Sequence, residues 1–197
     1  MGNRSFLILH GVENHRPAGH WQHDLARRLR DRGEQVLYPQ LPDPDRPSLE
    51  AWTAAVEDGL AAMSGERVVI CHSLACVTWL HLAARSGGAL LADRLLLVAP
   101  PGPGAFSWDV IAPFTPDPLD LTGLPLAAGS ARLVCSDDDP YCPEGADTAY
   151  GLPLGCDTDV LPGTGHLAIP DGYGPWPSVL DWCLDGTVRL TARPTAG

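Results

Sequence analysis

Val68-Val69-Ile70-Cys71-His72-Ser73-Leu74-Ala75-Cys76, running on into Val77-Thr78-Trp79-Leu80, decides how the rest of the chain is read. A run of β-branched residues stops at a small residue, one serine follows, and an apolar pattern at helical spacing takes over. A strand turning sharply into a helix, with a nucleophilic serine at the tip of the turn, has this form. The usual pattern is G-x-S-x-G, because strand and helix nearly touch on either side of the turn. Cys71 and Ala75 stand at the two glycine positions and are small enough to serve there. The rival reading of Ser73 is an ordinary helix N-cap, which the same residues satisfy.

Working outward, Ser5-Phe6-Leu7-Ile8-Leu9 reads as a buried strand ended by His10-Gly11. A helix is expected over 18–32, with Trp21, Leu25, Ala26 and Leu29 on one face and Gly33 as its stop. Gln35 to Tyr38 is a second strand, and Ser48 is the expected N-cap of a helix from Leu49 to Met63. The serine strand covers 67–71 and its helix 74–85. Further strands are expected at 94–99, 131–135 and 158–161, a short helix over 143–150 and a closing helix over 177–184. The continuous Leu95-Leu96-Leu97-Val98 run fits a strand covered on both faces, as in a parallel sheet. The alternation predicts an α/β fold, a mostly parallel sheet of about six strands with helices on both faces. Residues 1–187 read as one domain and 188–197 as a flexible tail. Residues 100–129, dense in Pro and Gly, read as a lid or an insertion-like loop.

Composition narrows the partners. The 197 residues carry a formal charge of −11 and no basic run, which argues against nucleic acid or an anionic membrane surface. The apolar stretch after Met1-Gly2-Asn3-Arg4 is only about six residues, too short for a signal-peptide core or a span. A cytoplasmic location is therefore expected, with the six cysteines reduced and mostly buried. They form no C-x-x-C pair and no zinc spacing, and no Gly-rich phosphate loop occurs, so neither metal nor cofactor is expected. Size and charge are compatible with a monomer or a small homo-oligomer.

Three polar groups each follow an expected strand: Ser73, the trio Asp137-Asp138-Asp139, and His166 in Pro162-Gly163-Thr164-Gly165-His166. In an open α/β sheet these positions share the carboxyl edge, where sites form. The order Ser…Asp…His is that of the α/β-hydrolase triad. A serine hydroxyl is a poor nucleophile at neutral pH. An imidazole has to take its proton, and a carboxylate has to fix the imidazole tautomer. The N–H groups of Leu74, after the serine, and of Val12, after His10-Gly11, occupy the two oxyanion-hole positions. His20 and Trp21 are expected to line the pocket wall, and Phe106, Trp108 and Phe114 to supply an apolar acyl pocket.

The chain resembles the small serine hydrolases related to retinoblastoma-binding protein nine and the bacterial YdeN-like proteins. The matching segments are Leu9-His10-Gly11 with Gly19-His20-Trp21, Tyr38-Pro39-Gln40-Leu41-Pro42-Asp43-Pro44, Cys71-His72-Ser73-Leu74-Ala75, Ser136-Asp137-Asp138-Asp139-Pro140-Tyr141-Cys142-Pro143, and Gly165-His166-Leu167 leading to Gly172-Tyr173-Gly174-Pro175-Trp176-Pro177. It extends over roughly residues 5–185 and implies a compact α/β-hydrolase fold. It also implies that the acid directly before the proline, Asp139, completes the triad, with Asp138 as second choice. Cys71, Ala75 and the long 100–129 segment depart from the family pattern. The resulting expectation is a serine hydrolase acting on an acyl ester, thioester or amide of a small-molecule substrate, of carboxylesterase type. The alternatives are a thioesterase or acyl-transferring, cyclising enzyme of a biosynthetic pathway, and a non-catalytic binding protein on a hydrolase frame.

Overall fold

Residues 3–117 and 119–194 are described by the computed structural model. Six strands, β1 (Arg4–Leu9), β2 (Gln35–Leu37), β3 (Glu66–His72), β4 (Ala92–Val98), β5 (Ala128–Ser136) and β6 (Asp157–Leu161), form one sheet. Their order is β2-β1-β3-β4-β5-β6 and every pairing is parallel. Alternate side chains on a strand face opposite sides, and the core divides accordingly. Leu7, Leu9, Val69, Cys71, Leu95, Leu97, Leu133 and Cys135 join one cluster, built with helices α2 (Leu49–Ala61) and α3 (Leu74–Arg85) through Trp52, Val56, Trp79 and Leu80. Phe6, Ile8, Val68, Ile70, Leu96, Val98 and Val134 face the other, where α1 (Trp21–Arg30) and the closing helix Pro177–Leu184 supply Trp21, Leu25, Leu29, Val179 and Trp182.

This topology fixes where a site can form. The chain leaves β1 toward β2 and then returns to the far side of β1 as β3, so the strand order reverses between β1 and β3. The carboxyl ends of two strands at such a reversal open a crevice. The turn after β1 holds Gly11 and the turn after β3 holds Ser73.

Several boundaries differ from the sequence reading for local reasons. Helix α1 starts at Trp21 rather than Ala18, with His20 as its N-cap: the ring Nδ1 accepts from the Gln22 N–H at 3.3 Å. Ser48 caps α2 as expected, its Oγ accepting from Ala51 N–H. The helix expected over 143–150 is delayed, because Gly145 takes a left-handed φ of 82°. A wide helical turn (Asp147–Gly151) follows, running into the one-turn helix α4 (Leu152–Leu154), which leaves Pro177–Leu184 as α5. Within 100–129 two 3₁₀ turns, Pro103–Ser107 and Ala112–Phe114, pack their aromatic residues inward. Phe114 is fully buried and meets Trp52 edge-on at 5.4 Å.

The tail expected to be flexible from 188 is instead anchored over its first residues. Leu190 is buried in the α1–α5 core. Its N–H donates to Asp159 at 2.8 Å, Arg189 pairs with Asp157 and Asp159, and the Thr191 carbonyl accepts from Trp176 Nε1 at 2.7 Å. Residues 195–197 of that expected tail lie outside the described residues. Replacing Leu190 by Ala should lower the unfolding free energy by about 2–3 kcal/mol, as for other buried leucines. A urea midpoint equal to that of the parent would show that the tail does not hold.

Candidate active site

The turn at Ser73 is strained in the way its sequence predicts. Ser73 has φ 56° and ψ −125°, a backbone conformation that costs a non-glycine residue about 1–3 kcal/mol. It is held there by its own N–H, which donates to the Val98 carbonyl of β4 at 2.8 Å. Neither Cys71 nor Ala75 has a positive φ, so the residues replacing glycine in the usual pattern carry none of that strain. Both are fully buried. The close approach falls elsewhere: a Cβ at Gly11 would lie 2.8 Å from Ser73 Cβ, so only glycine lets the β1 turn come this near.

Ser73, His166 and Asp139 meet at this edge. His166 Nε2 lies 2.9 Å from Ser73 Oγ, and His166 Nδ1 lies 2.8 Å from Asp139 Oδ2. The carboxylate can only accept, so the Nδ1 proton points to it and Nε2 is left to accept the serine proton. Asp139 Oδ1 accepts from the Tyr141 N–H at 2.9 Å. All three residues are buried, Asp139 most completely.

The other two aspartates of the trio are builders of the histidine turn. Asp137 Oδ1 accepts from Gly163 N–H and Asp138 Oδ1 from Gly165 N–H, both at 2.8 Å. The Ser136 hydroxyl and the Gly165 N–H beside Asp138 hold its carboxyl below the usual carboxylate range. Asp171, not among the expected site residues, completes the turn by accepting from His166 N–H at 3.0 Å and Ala168 N–H at 3.1 Å. Gly165 adopts φ 57°, and a Cβ there would collide with the Asp171 carboxylate.

Three neutral imidazoles surround this core. His10 donates from Nδ1 to the Gly11 carbonyl and accepts at Nε2 from Leu41 N–H, both at 2.8 Å, tying the β1 turn to the proline-rich loop. His72 donates from Nε2 to the His166 carbonyl at 3.1 Å, and its Nδ1 has no hydrogen-bond partner among the described residues. Its ring lies 5.3 Å from that of His20 and 5.2 Å from that of His166. Burial lowers His10 and His20 to about 4 and pushes His72 well down. The unfolded chain binds a proton on each below about 6.5 while the folded chain does not, so stability falls as pH drops from about 6.5 toward 4. The loss reaches about 3 kcal/mol for each of His10 and His20. Thermal melts at pH 7.5 and 4.5 check this: a Tm that stays level across the interval would contradict the neutral cluster.

The expected substrate contacts divide. Trp21 is a correction: it is fully sealed, its Nε1–H donates to the Leu167 carbonyl at 2.9 Å, and Trp176 meets it edge-on at 5.3 Å. It buttresses the histidine loop and presents no surface to a ligand. Phe106 is buried with the α2–α3 core, whereas Trp108 is 39% exposed. His20 is buried as well, its ring 5.3 Å from that of His72. The N–H groups of Val12 and Leu74 follow Gly11 and Ser73 directly, and neither donates to a backbone acceptor among the described residues. Sequence reasoning passed over Tyr141, whose ring meets that of His166 edge-on at 4.6 Å.

A parallel sheet with a strained serine turn after β3, and an acid from the β5 end and a histidine from the β6 end beside it, is the α/β-hydrolase architecture. The chain belongs to the serine hydrolase family, whose model matches residues 6–184, and it is accordingly a hydrolase. Solved structures of the same fold include the ydeN gene product from B. subtilis, at 20% identity over 92% of this chain and 97% of that one, TM-score 0.72. A YdeN-like hydrolase from Pectobacterium atrosepticum is similar at 20% identity over 91% and 88% of the two chains, TM-score 0.73. A structure described under the metagenome-derived lipolytic enzymes LipS and LipT is similar at 14% identity over 92% of each chain, TM-score 0.60. At such identities the likeness is one of fold. No curated protein sequence shows significant similarity to the chain. Among the described residues no helix is long and apolar enough to cross a membrane.

Proposed function

We propose that the chain is a carboxylesterase-type serine hydrolase in which Ser73, His166 and Asp139 form the catalytic triad. The observation that carries this reading is the unbroken pair of hydrogen bonds, Ser73 Oγ to His166 Nε2 at 2.9 Å and His166 Nδ1 to Asp139 Oδ2 at 2.8 Å. In the first half-reaction Ser73 Oγ bonds to the acyl carbon while its proton passes to His166 Nε2. The carbonyl oxygen gains the negative charge and is held by the N–H groups of Val12 and Leu74, the latter at the positive end of α3. Collapse of this intermediate breaks the bond to the leaving group, which takes the proton from Nε2. Water then attacks the acyl-enzyme, His166 taking its proton and returning it to Ser73 Oγ. Asp139 stays ionised and stabilises the imidazolium that forms twice per cycle. Of the expected substrate contacts, Trp108 is the one open enough to meet a ligand.

Mixing the protein with excess p-nitrophenyl acetate tests this mechanism. The expected record is hydrolysis well above buffer, with a first burst approaching one p-nitrophenolate per chain if deacylation is the slower half. A folded protein that hydrolyses neither this ester nor its longer-chain homologues faster than buffer would favour a binding role on the same frame.

A further inference from the structure

The arrangement around His166 also bears on what leaves the enzyme. Among the described residues, the imidazole has Ser73 at Nε2, Asp139 at Nδ1, the ring of His72 5.2 Å away and the ring of Tyr141 4.6 Å away. Ser73, Asp139 and His72 are buried, whereas Tyr141 is 52% exposed. Of these four side chains, the Tyr141 ring is the one open to solvent. Its backbone is pinned at both ends, the Tyr141 N–H donating to Asp139 Oδ1 at 2.9 Å and its carbonyl accepting from Gly102 N–H at 2.8 Å. Ile169, three residues beyond His166 on the same loop, is another large apolar side chain left substantially open, at 42%. Singly exposed apolar residues are ordinary; an aromatic one against the triad imidazole, on a backbone hydrogen-bonded at both its N–H and its carbonyl, is more specific.

The chemistry says which part of a substrate arrives there. As the tetrahedral intermediate collapses, the bond from the acyl carbon to the alcohol oxygen breaks, and the proton on His166 Nε2 moves to that oxygen. The alcohol departs neutral. This transfer requires the leaving oxygen to come within about 3 Å of Nε2. The group it carries has then to leave the buried serine past the imidazole, against which the exposed Tyr141 ring lies. We propose that Tyr141 forms a leaving-group subsite that favours esters of aromatic alcohols, through an edge or offset-stacked contact between the tyrosine ring and the departing ring. The inference rests on the esterase reading above and adds which side of the ester is selected.

Paired esters with a common acyl group test it, because both give the same acetyl-enzyme and differ only in what leaves. With 2-naphthyl acetate, Tyr141→Ala is expected to lower kcat/KM about tenfold, and with methyl acetate to leave it within about twofold. Tyr141→Phe, which keeps the ring, should stay within about twofold of the parent on both. Equal loss on both esters would make Tyr141 a positioning residue for His166 and overturn the subsite, and so would equal retention on both. Superimposable thermal melts of the three proteins keep the comparison free of folding effects. A parent that hydrolyses neither ester and takes no covalent phosphonate at Ser73 would instead remove the esterase reading, and the subsite with it.

Discussion

Ser73→Ala should abolish nearly all ester hydrolysis, lowering kcat about 10⁶-fold as in triads dissected by single replacements. The size follows from what the hydroxyl does. It is the atom that bonds to the acyl carbon, and no other group near His166 can replace it. Cys76, three residues on, is fully buried, and its Sγ turns to the Cys71 and Val98 carbonyls at 3.4 Å. Burial also raises its thiol above the range in which a thiolate forms near neutral pH. The fold should be little changed, since Ala bears the same backbone strain as Ser. Steady-state kinetics with p-nitrophenyl acetate beside a thermal melt checks both halves. A Ser73→Ala protein as fast as the parent would place the chemistry elsewhere.

Asp139→Asn is expected to cost about 10⁴ in kcat, with little change in structure. The amide oxygen can still accept the Tyr141 N–H, so the loop after β5 keeps its anchor. The amide nitrogen would stand where Oδ2 now accepts from His166. It would present a donor to Nδ1 and drive the imidazole proton to Nε2, so that Ser73 would face a donor instead of a base. The same change at Asp138 has a different expected signature. It would loosen the Gly165 turn that carries His166, lowering stability while sparing the proton path. Loss of activity at position 138 with full activity at position 139 would reverse the assignment within the trio.

What the sequence could and could not disclose follows from the range of the forces involved. The central strands β1, β3 and β4 were legible because their ends are apolar on both faces, and α3 began and ended where its pattern placed it, at Leu74 and Arg85. The serine turn was legible despite Cys71 and Ala75, since the strain sits on Ser73 alone. The three aspartates were not separable from local pattern, as all follow the same strand and all are acidic. Only their partners on the 163–171 loop, more than 20 residues away, divide the work among them. Trp21 was misread for a related reason. A tryptophan at the first position of a helix near a site can face the cleft or the core, and the carbonyl that fixes it, that of Leu167, is 146 residues distant. Tyr141 carries no local signature, because its contact with His166 exists only once the loops after β5 and β6 have met, whereas Asp171 acts within the histidine loop itself, on the N–H groups of His166 and Ala168. The anchored tail was missed because a lone Leu190 makes no periodic pattern. Its attachment depends on the charged pairs beside β6 instead.

Covalent labelling with a fluorophosphonate probe, followed by digestion and peptide mapping, tests the central claim most directly. The account predicts a single phosphonylated residue, Ser73, whose labelling slows severely in a folded His166→Ala protein. A folded parent that takes no label, or takes it on another residue, would contradict it.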